Sequence, residues 1–172
     1  ERMAYARRKI EMNKTRQIAE ITTFATLYAV LTWVFAPISY QVFQFRIAEC
    51  LKSIVVKRKH LLWAFVVGNA LSNIMSPFIG PWELVWMPFI NVLGAGSAWL
   101  IGHRFPCTKG MALGGAVYAV WVAFGVSFML YALFNLPLLL TFIYLLVPEV
   151  ILIVGFSPVM NQVNERIFKR IG

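Results

Sequence analysis

The stretch GMALGGAVYAVWVAFGVSFMLYALFNLPLLLTFIYLLVP fills residues 110–148 and contains no Asp, Glu, Lys or Arg. As one helix its 39 residues would run about 60 Å, twice the roughly 30 Å of a bilayer's hydrocarbon core. Two helices joined by a tight turn fit instead. Asn135-Leu136-Pro137 has the chemistry of that turn. The sequence therefore predicts one span over 110–133 and another over 138–160. Pro148 falls inside the second and is expected to kink it by removing one backbone donor.

The rest of the chain agrees with a membrane protein. Hydrophobic residues make up 60% of the 172 and charged residues 13%, against roughly 45–50% and about 25% in soluble domains. An ordinary soluble enzyme, a disordered tail and a coiled coil are excluded on that composition. Working back from residue 110, further spans are predicted over 83–102 and 61–76. The latter ends at the turn cluster Ser76-Pro77-Phe78-Ile79-Gly80-Pro81. A first span over 17–35 stops before Pro37, and 37–45 reads as a structured loop. Between them a short second helix, 44–56, carries Arg46, Glu49 and Lys52. It is too charged to face lipid and is expected to be tucked against protein. The fold class is thus all-α integral membrane with six transmembrane helices. Three regions follow: a basic segment over 1–16, expected to be part of a helix lying at the membrane surface, a six-helix domain over 17–160 and a basic tail over 161–172.

Lys and Arg number 16 against seven acids, all of them Glu, a net charge of +9. The cations sit in short blocks between apolar stretches, which points to membrane orientation rather than nucleic acid. The N-terminal segment, the 57–60 block, the 103–109 loop and the C-terminal tail take nearly all of them. The loops at 36–45, 77–82 and 134–137 contain none. By the positive-inside rule both termini are predicted to be cytoplasmic. The first 16 residues carry six cations and lack the apolar core of a cleavable signal peptide. Cys50 and Cys107 have no CxxC spacing and are expected to be free thiols.

Few residues remain for chemistry. Glu49, Glu83 and Glu149 lie in or beside apolar sequence, with Arg46 as their cationic counterpart on the outer side. Glu49 can be read as a ligand contact or as one member of an ion-pair stripe with Arg46 and Lys52, each three residues apart. Glu83 can be a ligand contact or an exposed carboxylate at a helix start. Glu149 sits about 16 Å into the sixth span with no sequence-local partner, so it needs a distant partner, a ligand or a proton. Tyr40, Gln44, Asn73, Trp82, Trp86 and Asn91 cluster at the same outer end. Interfacial aromatics are ordinary in membrane proteins. Together with amides and carboxylates they also suit a pocket for a flat, hydrogen-bonding ligand. Ala25-x-x-x-Ala29, Gly94-x-x-x-Ala98 and Gly110-x-x-x-Gly114 are close-packing patterns. No Walker loop, HExxH or GxSxG occurs, and no metal site is expected.

Ala36-Pro37-Ile38-Ser39-Tyr40 and Gln44-Phe45-Arg46-Ile47-Ala48-Glu49 resemble the first loop and second helix of the queuosine-precursor transporter family. The likeness continues through Gly68-Asn69-x-x-Ser72-Asn73-x-x-Ser76-Pro77, Glu83, Gly94–Ala98 and Glu149, and so covers roughly 20–155. Members are substrate-binding S components of energy-coupling factor (ECF) transporters in prokaryotic cell membranes. The resemblance implies capture of a 7-deazaguanine from outside the cell. It also implies a transmembrane coupling protein and two ATPase subunits as partners, so that the chain itself needs no cofactor. Ala25 and Ala29 match the surface that docks on the coupling protein. The sequence departs from the pattern at Gln41-Val42, where Gly-Pro is expected, at Glu83, where Asp is expected, and at Cys50, where a small residue is expected.

The function expected is therefore a non-enzymatic S component for a deazapurine of the preQ0 or preQ1 type. Binding would use Tyr40, Gln44, Arg46, Glu49, Asn73, Trp82, Glu83, Trp86, Asn91 and Glu149. The same machinery serving another small ligand, such as a vitamin, is the alternative. A small integral-membrane enzyme using Glu149, and a packing protein, fit the residues less well.

Overall fold

The computed structural model describes residues 2–40, 45–105 and 107–168, without the side chains of 2–13, 107, 167 and 168. The described residues contain helices and no strand. Helix α1 (Arg2–Val34) is followed by the single turn α2 (Ala36–Ser39) and a 3-10 helix, Ile47–Val56. Then come α3 (Leu62–Asn73), a π-helical turn Trp82–Trp86 leading into α4 (Met87–Gly102), α5 (Cys107–Phe134), α6 (Leu138–Gly155) and α7 (Ser157–Val163). Three helices are long and apolar enough to cross a membrane: Trp82–Gly102, Thr108–Phe134 and Leu138–Arg166. Two of them come from the charge-free stretch over 110–148.

The turn between those two forms as its sequence suggests. Asn135 is left-handed (φ 54°), a conformation Asn tolerates better than most side chains. Its N–H donates to the Tyr131 carbonyl at 2.9 Å and closes α5. Pro137 then caps the start of α6. Pro148 does not end α6, which stays helical to Gly155. A single turn residue, Phe156, separates it from α7, which begins at Ser157.

Elsewhere the boundaries move. The basic segment over 1–16 is helical from Arg2, as expected. It is the first half of α1, which runs unbroken through residue 17. Pro37, placed at the start of the expected loop, stands in the first turn of α2, where its missing N–H costs nothing; 41–44 of that stretch lie outside the described residues. Helix α3 is shorter than the span expected over 61–76, ending at Asn73.

The second helix differs most. It is a 3-10 helix of ten residues, where runs beyond three or four are uncommon. From Ala48 to Val56 every residue is buried, among α1, α4, α5, α6 and α7. Three residues per turn make a slender rod with three straight rows of side chains. Arg46, at the N-cap, Glu49 and Lys52 fall in one row. In an α-helix the same positions would drift about 60° per step.

Packing around this rod relies on small residues. Gly68 of α3 lies against α1: a Cβ there would sit 3.0 Å from the Ala25 carbonyl oxygen and 3.2 Å from Tyr28 Cβ. Phe24, Tyr28 and Phe65 fill the adjoining layer, with ring centroids 6.1 and 6.4 Å apart from Phe65. At the basic end of the bundle Glu20 gathers three groups. Arg16 Nε donates to it at 3.0 Å, Arg58 Nη1 at 3.0 and 3.2 Å, and His60 Nε2 lies at 2.6 Å. Arg58 Nε also donates to Asn164 Oδ1 at 3.1 Å, so α1, the 57–60 block and the segment after α7 are tied together.

Gly68→Val pushes two backbones apart where neither can yield. Overpacking of this kind costs about 1–3 kcal/mol. The expected outcome is a lower midpoint of thermal unfolding in detergent, while Gly96→Val, at a glycine with open space around it, leaves the midpoint nearly unchanged.

Candidate functional site

The 3-10 row carries charge into the interior. Glu49, Lys52 and Glu83 are 0–1% exposed, and Arg46 and Glu149 are each 6% exposed. Five buried ionisable groups need partners, since an isolated charge in an apolar interior is costly. Glu49 has two: Tyr28 donates its hydroxyl to Oε1 at 2.5 Å, and Lys52 pairs with Oε2. The Lys52 ammonium also lies over the rings of Tyr28 (5.6 Å to the centroid) and Tyr118 (4.9 Å). Tyr118 in turn donates to Asn91 Oδ1 at 2.9 Å, and Asn91 Nδ2 donates to the Met87 carbonyl. Asn91 therefore holds an aromatic wall around Lys52.

Arg46 faces the other way along the row. Its Nη2 lies 4.0 Å from Glu83 Oε1, and its guanidinium carbon is 5.4 Å from the Tyr40 ring centroid. Arg46 Nε donates to the Ser39 carbonyl at 3.5 Å. Tyr40 is fixed by donating its hydroxyl to the Ser72 carbonyl in the last turn of α3, which also accepts from the Trp33 indole N–H at 3.2 Å. Asn73 Nδ2 donates to the Glu83 main-chain carbonyl at 2.9 Å, which anchors the π turn to the end of α3. The π turn matters for Glu83. Extra backbone per turn re-aims side chains and is common at functional sites. Here it buries a carboxylate that a helix start at this position would leave exposed.

Glu149 comes from α6 and stands close enough to Glu49, Lys52 and Arg46 to interact electrostatically with all three. Two ionised carboxylates are both acceptors and cannot satisfy each other. Glu149 Oε2 has no hydrogen-bond partner among the described residues. The same is true of Glu83 Oε2, Asn73 Oδ1 and Ser39 Oγ. Buried polar atoms without partners are few in folded proteins, and each needs a reason.

The structure thus brings together Tyr40, Arg46, Glu49, Asn73, Glu83 and Glu149, with Asn91 one layer behind. It does not bring Trp82 and Trp86 to the acids as a stacking surface. Their rings pack edge to face on each other at 6.0 Å and against Phe128 of α5 at 6.0 and 5.2 Å. The Trp86 indole N–H donates to the Gly125 carbonyl at 2.9 Å. With Pro81, Val85 and Phe89 they line an apolar groove of about 500 Å³. Ala25 and Ala29 are not a free docking stripe either. They are 4% and 2% exposed, and the close approach of Gly68 occupies that face of α1. Gln44, together with Gln41 and Phe43, lies outside the described residues.

Lys52, Tyr28 and Tyr118 are the interior residues that sequence reasoning did not place at the site. Lys52 stands in the row with Glu49, so a signal existed. Tyr28 and Tyr118 look like any core aromatics until the ammonium is seen between them.

Apolar helices long enough to cross a bilayer, closed around a buried charged interior, define this chain as a membrane protein. Within that class the chain belongs to the QueT transporter family, whose model matches residues 18–165. It is a transport protein and not an enzyme. The comparison with curated proteins found no match, and neither did the comparison with solved structures.

Lys52→Met leaves Glu49 buried beside Glu149 with no ammonium. Breaking a buried pair from one side costs about 3–5 kcal/mol. The expected outcome is a large drop in thermal stability in detergent, mostly recovered in the double variant Lys52→Met/Glu49→Gln, which removes both charges.

Proposed function

We propose that the chain is the substrate-binding component of an energy-coupling factor importer and that it captures a 7-deazaguanine of the preQ0 or preQ1 type. Membership of the QueT transporter family supports a substrate-binding role in transport. The observation that carries the ligand reading is the set of buried acceptors left without partners: Glu83 Oε2, Glu149 Oε2 and Asn73 Oδ1. A guanine edge presents adjacent N–H donors. A carboxylate accepts two of them side by side, and such charge-assisted bonds are the strong ones. The Tyr40 ring beside Arg46 offers the flat face. Arg46 holds Glu83 in register, and Glu49, already engaged by Tyr28 and Lys52, acts as the fixed floor beneath Glu149.

In this reading the bundle crosses the membrane six times, with both termini cytoplasmic. Helix α3 and the 3-10 helix reach only about 18 and 20 Å, less than the hydrocarbon core. Short segments of this kind are tolerated when protein rather than lipid surrounds them. The nearly complete separation of Lys and Arg between the two sets of loops supports the orientation. Energy comes from the coupling protein and two ATPases. The exposed side of α1, which includes Leu27, Val30 and Val34, is the surface on that helix left for them.

Purified protein is expected to bind a 7-deazaguanine saturably in calorimetry without ATP. Glu83→Gln should weaken binding about tenfold or more, the size of a lost charge-assisted bond. Saturable binding of a vitamin with no response to any deazaguanine would replace the ligand assignment. For orientation, a cysteine introduced as Leu136→Cys should react with an impermeant maleimide on intact cells. One introduced as Lys59→Cys, in a chain with Cys107→Ser, should react only after permeabilisation. The reverse pattern would invert the topology.

A further inference from the structure

The basic end of the bundle holds cations of two kinds. Arg16, Arg58 and His60 are gathered by Glu20. Lys59, Arg104 and Lys109 are exposed and have no carboxylate partner among the described residues. No Glu occurs in 57–63 or 99–109. Lys59 is nevertheless held in place. Its ammonium lies over the Trp99 ring, 5.4 Å from the centroid, and so bridges from the start of α3 to the end of α4. The His103 imidazole stacks on the same indole, with centroids 4.7 Å apart and planes within 10°. A carbonyl only accepts, so His103 Nδ1 donates to the Trp99 carbonyl at 2.6 Å. Nε2 is left open among the described residues. Further along both helices, away from the basic end, the surface turns apolar. Trp63, four residues on from Lys59, is 57% exposed, and Val67 and Leu71 continue an exposed row on α3. On α4 Leu100 is exposed, and a Cβ at Gly96, one turn further in, would meet nothing within 4 Å.

We propose that this end of the α3–α4 pair binds an anionic phospholipid, its phosphate held by Lys59, His103 and Arg104 and its acyl chains lying along Trp63, Val67 and Leu100. The site is separate from the interior acids and independent of the small ligand proposed above. Two features favour a lipid over an acidic protein surface. The cations stand at the rim of apolar, exposed helix faces, so one molecule with a charged head and apolar tails matches both. Basic residues at a membrane surface draw anionic headgroups with about fivefold in affinity each. The second feature is Trp99, an interfacial aromatic that holds Lys59 and His103 before any headgroup arrives. Fewer side-chain rotamers then remain to be ordered on binding. A phosphatidylglycerol headgroup brings its negative charge uncompensated, whereas the trimethylammonium of phosphatidylcholine offsets it.

The test incubates the full chain in neutral detergent with equal amounts of phosphatidylglycerol and phosphatidylcholine of one chain length. Bound lipid is read by native mass spectrometry. Phosphatidylglycerol adducts are expected in at least tenfold excess. Lys59→Gln/Arg104→Gln should bring the two lipids within about threefold. Lys14→Gln/Arg166→Gln removes the same charge from exposed positions elsewhere and should leave the preference unchanged. Equal binding of the two lipids by the unaltered chain overturns the proposal and leaves the patch to an acidic protein surface. A preference that survives Lys59→Gln/Arg104→Gln overturns it too. So does an equal loss in both double variants, since the attraction then belongs to the overall charge of +9 and not to this site. Binding of sn-glycerol 3-phosphate as tight as that of the lipid would make this a free-phosphate site and equally overturn the assignment.

Discussion

The constraint on which the structure turns is the burial of the Arg46–Glu49–Lys52 row in the centre of an apolar bundle. Charges in such a place must be matched side by side, and the 3-10 helix supplies the straight row that does it. The surrounding helices then follow from the row. Tyr28 of α1 and Tyr118 of α5 close around Lys52. Glu83 reaches Arg46 from the π turn. Glu149 of α6 joins the same interior, interacting with Glu49, Lys52 and Arg46. Each of the long helices contributes one polar group to a common interior and turns the rest of its surface to apolar neighbours.

The balance between matched and unmatched groups separates scaffold from site. Glu49, Lys52, Tyr28, Tyr118 and Asn91 form a chain in which each member has a partner. They make a rigid floor. Glu83, Glu149, Asn73 and Ser39 each keep a buried polar atom free of partners among the described residues. A rigid base beneath unsatisfied groups is the arrangement of a preorganised binding site, because little must be ordered when a ligand arrives.

Much of the fold can be read from the chain. The charge-free run over 110–148, interrupted by Asn135-Leu136-Pro137, gives two helices and their turn, and the short charged helix is correctly expected inside the protein. The type of that helix is hidden, because a period of 3.0 and one of 3.6 are not separable over ten residues that are nearly all buried. The acids Glu49, Glu83 and Glu149 stand out by their rarity. Their groupings do not: Glu49 and Glu149 meet across 100 positions. Ala25 and Ala29 show the limit most plainly. An Ala-x-x-x-Ala spacing says that something packs closely and not what, and here it is Gly68 of the same chain. Trp82 and Trp86 are ambiguous for a related reason, since an aromatic ring near an interface is equally suited to a ligand, to lipid or to Phe128, which both rings meet here.

The buried 3-10 helix also has a consequence for biogenesis. Its Arg, Glu and Lys make it a poor candidate for entering a bilayer alone, at about 2.5–3.5 kcal/mol for each such residue near the centre. Of the groups that neutralise and enclose it, Tyr28 of α1 precedes it in the chain, while Glu83, Tyr118 of α5 and Glu149 of α6 are synthesised later. Those two helices are free of charge over 110–148 and can partition into lipid on their own. The second segment to leave the ribosome is therefore among the last to reach its place.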